Sequence, residues 1–262
     1  MRKLDVLLIA PSSADLYQDL KEDFSAKETN IWAGLLANAC IAKGFGAAIY
    51  DMEIERPNPE QFLKDVESHD ARFILFVVTG QNPNASTCLS EINTKIGFVG
   101  PHINALPLEV LELHDFIDVS FTNEGVYALL NLLSTDLSDD GLKSVNGIAY
   151  RSSTGDILIN PAERVVPQDL LEVDLPGIAY DLMPSLDNYR TSSWHANYID
   201  EDRSPFASIY TSLGCIFKCE FCMINIINRD DNNPLAASAD FNKFRYWNPE
   251  FTIKQLDYLA DK

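Results

Sequence analysis

The stretch RFILFVVTGQNP, residues 72–83, decides how the first half of the chain folds. Its first eight residues are dense in β-branched and aromatic side chains and run directly into Gly80, Asn82 and Pro83, the punctuation of a strand that ends in a loop. Working outward, KLDVLLIA at 3–10 is a second short apolar run, closed by Pro11-Ser12-Ser13, and reads as a buried strand. IWAGLLANACIAK at 31–43 has helical spacing and stops at Gly44, which caps it. Residues 45–51 read as a strand and 61–67 as a helix opened by Asn58-Pro59. A short helix at 86–94, a strand at 95–99, a helix at 106–113, a strand at 117–122 and a helix at 124–134 follow. Five strands alternating with helices predict an α/β domain with a parallel sheet, covered on both faces.

In such a sheet, ligands sit beyond the carboxyl ends of the strands. Here those ends fall at 11–14, 51–53, 80–84, 100–104 and 123–125. Gly80, Gly100 and Gly125 lie at three of them and would let a backbone approach a ligand closely, although each also suits an ordinary turn. His102 stands in the turn after the fourth strand, either facing the crevice or capping the next helix. After an acidic, glycine-containing connection at 136–142, VNGIAYRSSTGDILIN at 145–160 alternates on both sides of a turn and reads as a β-hairpin. Residues 164–198 have little periodicity and read as an extended linker. SPFASIYTS at 204–212 reads as a strand, and Pro249 marks the start of a final helix, 250–260.

That last strand leads into TSLGCIFKCEFCMIN, residues 211–225. Cys215, Cys219 and Cys222 stand in a C-x3-C-x2-C spacing, three of only five cysteines in the chain. Soft thiolates select zinc, copper or iron-sulfur clusters, and three of them can hold a cubane that keeps one iron open to substrate. A structural zinc site needs four ligands, and no second Cys or His pair follows. Cys40 and Cys88 fall inside predicted helices, as small apolar residues do. Residues 1–10 do not read as a signal peptide, and a reducing, cytoplasmic setting is expected.

The cysteine spacing, with Gly214 before it and aromatic Phe221 ahead of the third Cys, resembles the radical S-adenosylmethionine (SAM) superfamily. The preceding region resembles the cobalamin-binding domain of its B12-dependent members. FVGPHINALPLEVL is similar to their glycine-proline-histidine turn and helix, and IDVSFTNEGVYALL to their D-V-V-x-x-G-E-G-E segment. Val99, Asn123 and Val126 depart from the usual residues, and there is no D-x-H-x-x-G motif. FRYWNPE at 244–250 is similar to the R-x-R-S-P-E run that opens the first barrel helix.

The resemblance implies a flavodoxin-like, cobalamin-binding type domain at 1–140, a hairpin and interdomain linker at 141–203, and the start of a radical SAM βα barrel at 204–262. It implies Cys215, Cys219 and Cys222 as ligands of a 4Fe-4S cluster and Phe221 beside the adenine of SAM. Gly80, Gly100, Pro101, His102 and Gly125 would lie around cobalamin. The expected reaction is reductive cleavage of SAM to a 5'-deoxyadenosyl radical, with methyl transfer to an unactivated carbon of a small-molecule or metabolite substrate. An electron donor such as flavodoxin or ferredoxin is implied. Because one strand, one loop and one helix cannot close a barrel, the expectation is that turnover needs further βα units or a chain that completes them. The alternative is a cobalamin or 4Fe-4S binding module without turnover. The methylthiotransferase relatives are disfavoured, since they need three cysteines in their first domain. A flavodoxin-like electron carrier would want more Ser and Thr after the first strand.

Composition narrows the partners. With 39 acidic against 20 basic residues and a net charge of −19, the chain lacks the cationic face that a nucleic acid requires. Its uncharged apolar runs are strand-sized, so no membrane span is expected.

Overall fold

The computed structural model describes residues 4–12, 26–78, 87–192, 203–217, 219, 222, 224 and 244–261. In chain order the elements are β1 (Leu4–Ala10), α1 (Ile31–Ala42), β2 (Ala47–Asp51), α2 (Met52–Glu55), α3 (Pro59–Ser68) and β3 (Ala71–Val77). A 3-10 turn at Thr87–Glu91 precedes β4 (Lys95–Val99), α4 (Pro101–Ala105), α5 (Pro107–Leu113), β5 (Val119–Phe121) and α6 (Val126–Leu133). Then come α7 (Asp139–Lys143), β6 (Ile148–Arg151), β7 (Ile157–Ile159), α8 (Leu171–Asp174), β8 (Ser212–Leu213), β9 (Arg245–Tyr246) and α9 (Pro249–Ala260).

The main sheet has seven strands in the order β2-β1-β3-β4-β5-β6-β7. The first five are parallel, with Val6 beside Ala47 on one side and Phe73 on the other. The order 2-1-3-4-5 is that of a doubly wound, flavodoxin-like sheet. Successive side chains on a strand point to opposite faces, and the core divides accordingly. Val6, Leu8, Phe73, Leu75 and Val77 pack with α1 and α6. Leu7, Ile9, Ile74 and Phe76 pack with Phe62 and Val66 of α3 and with Val110 and Leu111 of α5. Burial on both faces is why these strands read as unbroken apolar runs.

Helix α1 is buried nearly all round, including Ala33, Gly34, Leu35, Leu36, Ala37 and Cys40. The segment between β7 and residue 190 lies over its outer side. Ala179 N–H donates to the Gly34 carbonyl at 3.1 Å, and a methyl group at position 34 would sit 2.5 Å from Ile178 Cγ2. Tyr189 Oη, itself buried, donates to Asp51 at the end of β2 at 2.7 Å. The expected linker is therefore a strap packed against the sheet layer.

Several elements differ from the sequence reading: a helix, α4, stands where a turn was read after β4, and a 3-10 turn where a helix was read at 86–94. The hairpin, expected within the connection, continues the main sheet: β6 pairs antiparallel with β5, and β7 with β6. The acidic connection at 136–142 contains α7, capped by the Ser138 side chain, which accepts from Gly141 N–H. The barrel strand expected at 204–212 does not form. Among the described residues Ser212 and Leu213 alone pair there, antiparallel to Tyr246 and Arg245, while the preceding backbone bonds to the strap instead, Phe206 N–H donating to Leu186 O and Ser208 O accepting from Tyr180 Oη. Among the described residues no helix is long and apolar enough to cross a membrane.

Candidate functional site

The carboxyl ends of β3, β4 and β5 open on a cavity of about 360 Å³. Its floor and sides are Trp32 of α1, Val78, Val99, Gly100, Pro101, Asn104 and Glu124. Its other wall comes from more than eighty residues further along the chain: Tyr210, Ser212, Leu213, Gly214 and Ile224. Gly214, at φ +82°, turns the chain from β8 directly into Cys215. The strand-end motifs and the cysteine loop thus meet at one cavity.

Each wall residue is fixed by its neighbours. Gly100 has φ +149°, and a Cβ there would lie 2.0 Å from the carbonyl oxygen of Val78. Glycine is required by the close passage of the β3 backbone, where Val78 N–H donates to Val99 O at 2.9 Å. Pro101 then occupies the first turn of α4, where its missing N–H is not needed. Asn104, 1% exposed, donates from Nδ2 to the carbonyls of Phe121 and Asn123 at 2.7 and 2.8 Å. With both amide hydrogens placed on carbonyls, its Oδ1 is a buried acceptor without a partner among the described residues.

Glu124 is the hub. Its backbone carbonyl accepts from Trp32 Nε1 at 3.0 Å. Its carboxylate accepts from Arg245 Nη1 at 3.2 Å and Nη2 at 2.6 Å, and from the N–H of Val166 at 2.5 Å. The pair is 1% and 2% exposed. Arg245 also donates from Nη1 to Val166 O at 2.6 Å.

The other expected site residues are placed as follows. His102 lies on α4, half-buried, and is absent from the cavity wall; its carbonyl accepts from Leu106 N–H. Gly125, at φ +81°, is the N-cap of α6 and donates its N–H to Asn123 Oδ1; it too lies off the cavity. Gly80 and Phe221 fall outside the described residues. Cys215 and Cys222 are half-buried, Cys219 is exposed, and all three are free thiols on one loop. Phe217 N–H donates to Cys215 Sγ at 3.5 Å, and Cys222 N–H to Cys219 O at 3.1 Å. The three sulfurs are not drawn into a ligand set: among the described residues no group of three metal-binding side chains is gathered.

The sequence reading singled out the glycines and passed over Trp32, Asn104, Glu124 and Arg245. Glu124 and Arg245 both lay inside quoted motifs, but nothing in a linear pattern pairs residues 121 positions apart.

Over nearly its whole length the chain superimposes on OxsB, a cobalamin-dependent SAM radical enzyme solved with aqua-cobalamin and SAM, with a TM-score of 0.66 and 21% identity, covering 98% of this chain and 31% of OxsB. TsrM, a radical SAM methyltransferase from Kitasatospora setae solved with cobalamin and a 4Fe-4S cluster, matches with a TM-score of 0.61 and 16% identity, over 100% of this chain and 47% of TsrM. The fold is that of the N-terminal portion of cobalamin-dependent radical SAM enzymes. A stretch of 162 residues, 62% of the chain, is 25% identical to the uncharacterized methyltransferase PH0819 of Pyrococcus horikoshii and covers 32% of that protein. The chain thus spans about a third of the length of that relative. No protein-family model matches the sequence.

Proposed function

We propose that this chain is the corrinoid-binding and cluster-bearing part of a radical SAM protein of the methyltransferase type. The observation that carries the reading is the shared cavity: Gly100, Pro101 and Asn104 form one side, and Gly214, adjacent to Cys215, forms the other. Two motifs far apart in sequence gain a common purpose if one ligand lies between them.

The residues fit the groups. Trp32, Val78, Val99, Pro101 and Leu213 give the cavity apolar walls suited to a flat macrocycle, and Asn104 Oδ1 supplies an acceptor for an amide N–H. A corrin ring carries carboxamide arms around its edge. Cys215, Cys219 and Cys222 are a soft donor set of free thiols, and Phe217 N–H already donates to Cys215 Sγ, the kind of bond that tunes a cluster's potential. Such sites commonly complete their geometry only with the metal, because binding and local folding are coupled. When bound, the cluster with SAM supplies one-electron chemistry and the corrinoid carries a methyl group towards a substrate carbon.

The chain's own part is positional. Gly214 brings the thiols to the cavity rim, the apolar walls exclude water, and Glu124 holds Trp32 in the wall. A metabolite substrate and an external electron donor belong to the same proposal.

The test is anaerobic reconstitution with iron, sulfide and hydroxocobalamin, followed by gel filtration. Co-elution of corrinoid and of the iron of one 4Fe-4S cluster, with a SAM-dependent change in the reduced cluster's EPR spectrum, is expected. Elution of the chain free of both overturns the reading. Formation of 5'-deoxyadenosine on reduction then separates a catalytic protein from a binding module.

A further inference from the structure

We propose that Arg245, through its ion pair with Glu124, is the positioning residue that sets the cysteine loop over the cavity. The proposal rests on the functional reading above for what the cavity and loop hold.

The β8–β9 ribbon has two residues per strand, too short to fix its own place, since even a longer two-stranded hairpin is marginal in water. Its location must come from contacts outside it. Several polar ties hold the β9 side to the strap: Gln168 and Tyr246 exchange hydrogen bonds at 2.8 and 2.9 Å, Trp247 Nε1 donates to Leu175 O at 3.0 Å, and Asn248 N–H donates to Glu172 at 3.0 Å. The tie from Arg245 differs in reaching Glu124, a wall residue of the cavity at the end of β5.

Across the ribbon, Arg245 is paired with Leu213. Leu213 and Gly214 line the cavity, and Cys215 follows. The path from the sheet to the first thiol is therefore Glu124, Arg245, Leu213, Gly214, Cys215. A buried ion pair stabilises a fold little better than a hydrophobic pair of the same shape. A bidentate guanidinium fork, however, fixes the orientation of the guanidinium relative to the carboxylate, which a point charge leaves free. That property suits spacing two sites.

The test uses the reconstituted full chain and the variant Arg245→Lys, which keeps the charge and loses the fork. Iron and corrinoid content are measured first. The cob(II)alamin EPR signal is then recorded with the cluster oxidised and reduced, and amide exchange is followed at Ser212–Cys215 and in β3 and β4. In the wild-type chain, reducing the cluster should broaden the cobalt signal through space. In Arg245→Lys, the expected result is unchanged iron and corrinoid, loss of that broadening, and exchange at Ser212–Cys215 faster by roughly tenfold with β3 and β4 unaffected.

Unchanged broadening and exchange overturn the proposal. So does loss of iron or corrinoid together with the coupling, because the pair would then build the sites rather than space them. If Arg245→Lys does not fold, the neutral double variant E124Q/R245M, which leaves no lone buried charge, is scored on amide exchange alone. If the wild-type chain retains neither cofactor, the functional reading fails, while exchange in the cofactor-free chain still decides the positioning role.

Discussion

The sheet and the cysteine-bearing segment are held by different forces. In the sheet, Val6, Leu7, Leu8, Ile9, Phe73 and Leu75 are each fully buried, and both faces are covered. In the segment from residue 203 onward, α9 buries no residue, and Ile253 and Leu256 are about half exposed. Leu213 and Trp247 are the hydrophobic side chains buried there among the described residues. Leu213 and Trp247 join the core on the α1 side, and Ala207, Phe251, Tyr258 and Leu259 pack against it, but much of the attachment is directional: Arg245 to Glu124, Trp247 to Leu175, Tyr180 Oη to Ser208 O, and Tyr258 Oη to Asp181. Apolar burial is non-directional and supplies stability, whereas hydrogen bonds of fixed geometry supply placement. A ligand crevice needs the first to persist and the second to be the right shape.

The largest effect should come from breaking the strongest of these ties. Arg245→Ala leaves the Glu124 carboxylate buried with its charged partner gone, a loss of about 3–5 kcal/mol. The contrast between regions predicts where this appears. Amide exchange should show β8 and β9 released at low denaturant, with β1 and β3 opening at the wild-type midpoint. A single shifted transition for all strands would break the comparison and make the segment part of the sheet's cooperative unit.

Gly100→Ala attacks the sheet side of the same cavity. The backbone conformation alone costs roughly 1–3 kcal/mol for a residue with a Cβ, and the added atom would meet Val78 O at 2.0 Å. Here the loss should fall on the β3–β4 pairing, read as a lowered global midpoint in urea. If the midpoint is unchanged and only ligand affinity falls, Gly100 serves the ligand and not the sheet.

Much of this division was legible in the sequence, and for physical reasons. Strands buried on both faces must be continuous apolar runs, so β1, β3 and β4 are visible at 3–10, 72–79 and 95–99. Helix ends announce themselves where a cap has its own chemistry, as at Gly44 and at Asn58, whose side chain accepts from Gln61 N–H. Pairing partners are a different matter. The alternation at 145–160 identifies a hairpin, but nothing local says that Ile148 will lie beside Phe121. The turn at Gly100-Pro101-His102 hid α4, because Pro at the first helical position looks like a loop until Asn104 N–H is seen to reach Gly100 O. Of the cavity wall, Gly100 and Pro101 were legible in a motif, while His102 and Gly125 were singled out and lie off the wall, and the hub was missed because Glu124 acts through a long-range ion pair that leaves no periodic trace.

Two buried carboxylates that tie the strap to the sheet layer should titrate in opposite senses. Burial raises the Asp51 carboxyl above its ordinary 3.8, and the hydrogen bonds from Tyr189 and the Glu53 N–H only partly offset it. Its contribution to stability is therefore greatest below pH 3.8 and is lost as pH rises through the raised folded value. Burial also pushes Asp174 upward, but hydrogen bonds from Lys43 and Tyr127, with the charges of Lys43 and Arg164, outweigh it and hold the carboxyl below 3.8. Its contribution is present above pH 3.8 and is lost as pH falls through the depressed value. In urea titrations across pH, Asp51→Asn should flatten the decline above 3.8 and Asp174→Asn the decline below it. Changes of the same sign would show that the strap responds as one charge cluster.

The smallest effect on stability belongs to the residues that matter most for the proposed chemistry. Cys215, Cys219 and Cys222 are half-buried or exposed on a loop outside the apolar layers. Replacing all three with serine should change the unfolding free energy by no more than about 0.5 kcal/mol, as surface substitutions do, while iron uptake on reconstitution disappears. Cys40 is the counterpart in the sheet layer: burial, then the charge of Asp5, pushes its thiol up to about 12. The thiolate is the reactive form, so iodoacetamide at neutral pH should alkylate the three loop cysteines of the folded chain and reach Cys40 only in denaturant, as read by peptide mapping. Bound iron should protect the loop cysteines and leave Cys40 unaffected. Alkylation of Cys40 at the loop rate would mean that α1 opens as readily as the loop, and the contrast between a persistent sheet and a positioned segment would not hold.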